Sequence, residues 1–315
     1  MHDAIVVGGG PAGLAAATWL GRHRRATLLV DSGQYRNGWV DRSHGYLGRD
    51  HVDPAELRAA ARDDLGHYPL VELRAGEVTA ARAEGGRFVL TVDGDEVAGR
   101  RVVLATGVAD AFPDVAGFFE HYGASVFHCP TCDGYEARGR HVVALGWGEQ
   151  VAGFALTLLD WVAAVTIVTD GHRFEGDDEV RSSLEAQGVH LVEAAATRFE
   201  GERGRLAGVE LSNGERLPCD LAFFSVAHQP RHELATQLGA RLTGDGCVEV
   251  DDECRTSVEG VYACGDLTPG IQLVQVAAAK GTIAGISCAM SLRGEPPVHA
   301  AVPEPGPDPD AALPS

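Results

Sequence analysis

Apolar residues in this chain gather in short runs, several of them closed by glycine or an acid. Such runs lie at positions 3–7, 26–30, 102–104, 141–145, 164–168 and 221–226. Strands buried on both faces read this way, which points to parallel sheets covered by helices. Segments of helical composition fall between them, at 14–21, 55–65, 150–161 and 272–292. Residues 70–98 differ: they read as short alternating strands broken by the turns Gly85-Gly86 and Asp93-Gly94. The prediction is an α/β protein.

The first run breaks at Gly8-Gly9-Gly10-Pro11-Ala12-Gly13, passes into a helix, and returns as a strand ending at Asp31. Strand, glycine turn, helix and strand with a terminal acid make the βαβ unit of a dinucleotide-binding fold. The same design recurs from His141, with the turn Gly146-Trp147-Gly148. A repeated βαβ unit needs a second sheet to pack on, so two three-layer domains of Rossmann type are expected, the second inserted into the first. Boundaries are expected at 1–111 plus 245–295 for the first and 112–244 for the second, with Phe112-Pro113-Asp114 as linker. Residues 296–315 turn to proline, alanine and acid and are expected to be a disordered tail.

With 45 acidic against 26 basic residues the formal net charge is −19, which argues against nucleic acid or an anionic membrane as partner. No apolar stretch is long enough to span a bilayer, and the glycines at 8–10 interrupt the apolar N-terminus, so a cytoplasmic location is expected. In that setting the seven cysteines are expected to be thiols or catalysts rather than structural staples. Cys219, Cys247, Cys254, Cys264 and Cys288 stand singly near apolar stretches and read as small hydrophobes.

The first glycine turn has the context a dinucleotide site needs: Gly8, Gly10 and Gly13 follow a strand and open a helix, where pyrophosphate meets free N–H groups. The second fits less well. Val151 stands where Gly or Ala lets helix and strand approach, Trp147 puts an indole in the phosphate loop, and Thr169-Asp170-Gly171 offers no arginine for a 2′-phosphate. These features weigh against NADPH there.

His128-Cys129-Pro130-Thr131-Cys132-Asp133-Gly134 has the C-x-x-C spacing of a dithiol that opens and closes as a small disulfide ring. Asp133 is placed to exchange the proton that thiolate formation releases, provided burial raises its pKa, and His128 to assist. A zinc site would need a second ligand pair, and no second C-x-x-C or C-x-x-H follows, so no metal is expected.

These motifs, with Ala105-Thr106-Gly107 and Tyr262-Ala263-Cys264-Gly265-Asp266, resemble in order and spacing the low-molecular-weight thioredoxin reductases and their relatives, up to about Gly294. The resemblance implies FAD in the first domain, the cysteine pair and usually NADPH in the second, and a homodimer. It implies that Cys129 exchanges with substrate, Cys132 faces the flavin, Asp133 is acid and base, and Asp266 and Gln275 lie near FAD. The FAD-contacting set expected on this basis is Gly8, Gly10, Pro11, Ala12, Gly13, Asp31, Ser32, Asn37, Ala105, Thr106, Gly107, Gly265, Asp266 and Gln275. Two departures stand out: Val274 replaces the arginine that usually precedes the glutamine, and the His-Arg-Arg cluster is absent. Two branches of the family lack a standard NADPH site, the dithiol oxidases that pass electrons to oxygen and the ferredoxin-linked reductases; Cys132-Asp133, instead of Cys-His, leans toward reductase-like chemistry. The expected activity is dithiol/disulfide exchange with a thioredoxin-like protein or small dithiol. A flavin-bearing redox sensor is the non-enzyme alternative.

Overall fold

The computed structural model describes residues 1–148, 150–225 and 228–295; the expected tail and Val226 lie outside the described residues. These form two compact units, residues 1–36, 55–109 and 230–295 in the first and 37–54 and 110–225 with 228–229 in the second.

The first unit opens with β1 (His2–Val7), α1 (Pro11–Arg22) and β2 (Thr27–Asp31), followed by α2 (Pro54–Leu65), β3 (Val71–Ala75), β4 (Val78–Glu84), β5 (Arg87–Val92) and β6 (Asp95–Leu104). Its sheet runs β3-β2-β1-β6-β5-β4, with the strand Val261–Ala263 joined to β6. The pairs β1–β2, β1–β6 and β2–β3 are parallel, whereas β4–β5–β6 is an antiparallel meander. Alternation sends Ala4, Val6, Leu29 and Val103 to one face and Ile5, Val7, Leu28, Val30 and Leu104 to the other, so each face builds its own core. On the first face, α1 packs against the last helix, Val274–Ser291. Gly281 and Gly285 make that approach possible: a Cβ on Gly281 would lie 2.0 Å from the Ala12 carbonyl oxygen, and one on Gly285 would lie 2.6 Å from that of Ala16.

In the second unit, Val126–Phe127, His141–Leu145, Ala164–Val168, His190–Val192 and Leu221–Phe224 form a parallel sheet. The helices Gln150–Leu158 and Asp178–Ala186 pack on one face. On the other lies an antiparallel sheet of Ala196–Glu202, Arg205–Leu211 and Arg216–Leu217, which the apolar runs did not reveal. Both units are Rossmann-like, and the second is inserted into the first.

The division differs from the expected boundaries in two places. The first unit resumes at Pro230 rather than at 245, because Leu234 and Leu238 bury against its sheet and the Gln237 side chain accepts a hydrogen bond from the Ala81 amide at 2.8 Å. Residues 37–54 group with the second unit: Trp39 packs on Phe119 with ring centroids 5.0 Å apart, and Arg203 bonds Asp41. Among the described residues no helix is long and apolar enough to cross a membrane.

Candidate functional site

The Gly8–Gly13 turn is held by contacts that leave no room for side chains. A Cβ on Gly8, whose φ is +108°, would lie 2.3 Å from the Ala105 carbonyl oxygen; one on Gly13 would lie 1.8 Å from that of Gly8. Gly9 is equally confined, 2.1 Å from an Asp31 oxygen, a constraint the G-x-G-x-x-G spacing does not express. Gly10 contrasts with all three, since nothing in the protein lies within 4 Å of its missing Cβ. It caps α1 without a side-chain hydrogen bond and Pro11 follows at the first helical position, so the helix opens bare-ended onto a free space. Steric need for glycine at 8 and 13 shapes the turn; the openness at Gly10 is where a pyrophosphate fits.

Around this turn the fold gathers most of the expected residues. Ala105 lies against Gly8, Gly265 (φ +74°) would bring a Cβ within 2.8 Å of Ala12, and Asp31 lies against Gly9. Thr106 donates to the Arg231 carbonyl at 2.7 Å, and Gly107 takes a left-handed φ of +67°. Asp266 follows Gly265 in a short 3-10 turn and pairs with Arg36 at 3.2 Å, which also donates to Gln272 at 2.6 Å. Gln275 sits in the first turn of the last helix, and Ser32 is exposed beyond β2. Asn37 follows Arg36 directly and falls in the second unit.

Asp31 has partners that the motif did not predict. Its carboxylate accepts from Tyr35, Arg62 and the Gly33 amide. Burial pushes its pKa up, but those bonds together outweigh it and hold the carboxyl below its usual range. The Arg58 guanidinium stacks 4.1 Å above the Tyr35 ring, completing a compact polar cluster at the end of β2.

Cys129 and Cys132 form a disulfide, with Cys129 capping the single turn Pro130–Asp133 and its sulfur accepting from the Cys132 amide at 3.1 Å. Asp133 is buried at the end of that turn, and its pKa is raised to about 7, first by desolvation and then by the neighbouring charge of Glu136. That puts the carboxyl of the residue following Cys132 in the range where it both gives and takes a proton at neutral pH. His128, directly before the pair, shares a 3.1 Å hydrogen bond with the Tyr122 hydroxyl.

The other cysteines are in the wrong electrostatic setting for this chemistry. Burial pushes the thiol of Cys219 up to about 12, of Cys254 to about 11 and of Cys288 to about 12, and it raises Cys264 further.

The second glycine turn is filled from within. A Cβ on Gly146 would lie 2.8 Å from a Val151 methyl, and Trp147 stacks on His172 with centroids 4.3 Å apart and planes 23° from parallel. Asp170, at the end of the following strand, accepts from the Ala196 amide at 3.2 Å.

The pyridine nucleotide-disulphide oxidoreductase family model matches residues 2–281 of the chain. The chain belongs to that family. Within it, the similarity is to proteins of thioredoxin reductase type. Thioredoxin reductase tcpT of Claviceps purpurea (strain 20.1) is 32% identical over 294 residues, covering 90% of this chain and 92% of the relative. The ferredoxin–NADP reductase of Ignicoccus hospitalis is 30% identical over 305 residues, covering 93% and 99%. A solved structure, the putative thioredoxin reductase TrxB of Bacillus anthracis, superposes with a TM-score of 0.87 at 29% identity, covering 93% of this chain and 98% of that one. This member of the family is an oxidoreductase and its cofactor is FAD. The first glycine turn fits that cofactor, because Gly10, whose missing Cβ meets nothing beyond its chain neighbours among the described residues, is where the backbone must lie close to a pyrophosphate.

Proposed function

We propose that the chain is an FAD-dependent dithiol/disulfide oxidoreductase that moves two electrons through the Cys129–Cys132 couple and does not use NADPH as its ordinary donor. The observation that carries this reading is the Cys129–Cys132 disulfide, followed directly in the same turn by the buried Asp133 with its raised pKa. FAD, when bound, supplies a two-electron carrier; Gly8 to Gly13, Ala105 to Gly107, Gly265 and Asp266 would hold it, with Asp31, Ser32, Asn37 and Gln275 as further contacts. Opening the disulfide to two thiols takes up two electrons and two protons. Asp133 holds one of those protons and returns it when a thiolate must be quenched. Cys129 exchanges with the substrate, Cys132 is the sulfur on the cofactor side, and His128 orders the entry to the pair.

The filled turn of the second unit favours a donor or acceptor other than NADPH. Val151 packs against Gly146 where Gly or Ala would let helix and strand approach, Trp147 stacks on His172, and Asp170 stands where a 2′-phosphate would need a cation, all of which support that reading. Ferredoxin is one such partner. Oxygen is the other, in a reading where the chain oxidises a small dithiol to its disulfide. The relatives named thioredoxin reductase support a thioredoxin-like protein or small dithiol as substrate, and a cytoplasmic homodimer completes the proposal.

The test is anaerobic mixing of the flavin-loaded protein with NADPH, NADH, reduced ferredoxin and a dithiol in turn, following flavin bleaching. Rapid bleaching by dithiol or ferredoxin and not by NADPH is expected. Cys129→Ser and Cys132→Ser are expected to abolish multiple turnover while keeping flavin. Rapid bleaching by NADPH refutes the donor assignment; strictly stoichiometric dithiol oxidation by the unaltered protein would identify a redox sensor instead.

A further inference from the structure

The loop between α1–β2 and α2 holds a second cluster of donor atoms that the flavin and sulfur chemistry do not use. Ser43 and Val52 form an antiparallel bridge, with the Ser43 amide donating to the Val52 carbonyl at 2.8 Å. Just inside that bridge His44 and His51 face each other, Nδ1 to Nδ1 at 2.9 Å, their rings edge to face. Asp50 is fixed by bonds from the Gly45 and His51 amides to its Oδ1, at 2.8 and 2.9 Å, while its Oδ2 lies 3.5 Å from His51 Nε2. One donor atom from each of His44, Asp50 and His51 lies within 4.8 Å of the others. Glu136, on the turn after the cysteine pair, brings Oε1 to 3.8 Å from His44 Nδ1, and its Oε2 is buried with no hydrogen-bond partner.

Two imidazoles flanked by two carboxylates, one with a buried oxygen left unpaired, present two nitrogen and two oxygen donors with a formal charge of −2. Tetrahedral zinc takes N and O ligands at about 2.0–2.2 Å, which sets ligand atoms about 3.3 Å apart. The His44–His51 separation is a few tenths of an ångström below that and the His44–Glu136 separation somewhat above it. We propose that His44, Asp50 and His51, joined by Glu136, form a binding site for a borderline divalent cation, Zn²⁺ by preference over Mg²⁺ or Ca²⁺. The imidazole donors set that preference, since hard cations take all-oxygen shells. The bridge at Ser43–Val52 pre-organises the two histidines, so binding closes little chain entropy.

The test uses tag-free, flavin-loaded protein in its disulfide form, so that Cys129 and Cys132 cannot chelate, stripped with EDTA. Zn²⁺ is titrated calorimetrically and Co²⁺ by its visible d–d absorption, with Mg²⁺ as control. One Zn²⁺ per chain with a micromolar or tighter Kd is expected, with no measurable Mg²⁺ binding. His51 has a φ of +58°, a left-handed backbone that glycine adopts freely, so His51→Gly deletes a ligand without straining the loop. That variant and His44→Ala are each expected to weaken Zn²⁺ at least ten-fold, and Glu136→Gln several-fold, with unchanged flavin content reporting the fold. Absence of a cobalt spectrum, or His51→Gly binding zinc like the unaltered chain, overturns the proposal.

Discussion

The two glycine turns are copies of one design with different packing. In the first, Gly8, Gly9 and Gly13 are packed so closely that no side chain fits, while Gly10 faces open space. In the second, Val151 presses on Gly146 and an indole–imidazole stack occupies the loop. A βαβ unit therefore states only that a helix follows a strand across a tight turn; whether the turn receives phosphate depends on which atoms lie next to it. The second unit instead carries the Cys129–Cys132 disulfide and the buried Asp133.

The strongest way to break this contrast is to give the first turn the bulk of the second. Gly13→Val places a branched side chain where even a Cβ would be 1.8 Å from the Gly8 oxygen, so it is expected to abolish flavin binding and to destabilise the unit by about 3 kcal/mol or more. Flavin absorbance after purification and a thermal melt check both. Survival with full flavin content would show that the turn is not the cradle.

Next in size is Asp133→Asn, which probes the chemistry of the second unit. Loss of its proton exchange is expected to slow dithiol turnover by about 10²–10⁴-fold and to remove the ionisation near pH 7 from the rate profile. The stability effect has the opposite sign. Burial raises the Asp133 pKa in the folded protein to about 7 from an ordinary carboxyl value of 3.8, so folding favours its protonated form. That contribution is complete below the unfolded pKa and is lost as pH rises to about 7, with a magnitude on the order of 2–4 kcal/mol. Asn cannot ionise, so the variant is expected to melt above the parent at pH 8, the difference closing toward pH 4. Equal melting temperatures at both pH values would remove the case for a near-neutral acid.

The smallest effect concerns the second turn itself. Trp147→Ala opens the loop without supplying cations for a 2′-phosphate or removing Asp170, so NADPH affinity is expected to rise by no more than about ten-fold, roughly 1.4 kcal/mol. A gain far beyond that, read from flavin bleaching by NADPH, would make the indole the sole barrier.

Much of the scaffold was readable because its strands are buried on both faces. His141–Leu145 and Ala164–Val168 are strands over the same residues that the apolar runs indicate. The start of α1 was harder: composition suggested Leu14, but the helix begins at Pro11, set by the fixed φ of proline rather than by hydrophobicity. Beyond the strands, legibility fell with sequence separation. The cysteine pair is visible as a local motif, whereas the grip of Arg62 on Asp31, and the meeting of His44 with Glu136, join distant positions that no spacing rule connects. Residues 37–54 were missed for the same reason, since only packing onto Phe119 and Arg203 assigns them to the second unit.

The seam between α1 and the last helix also bears on how the first unit folds. Ala12 and Ala16 meet Gly281 and Gly285 across most of the described chain, so the contacts that bury α1 have very high sequence separation, the kind whose loop closure slows folding.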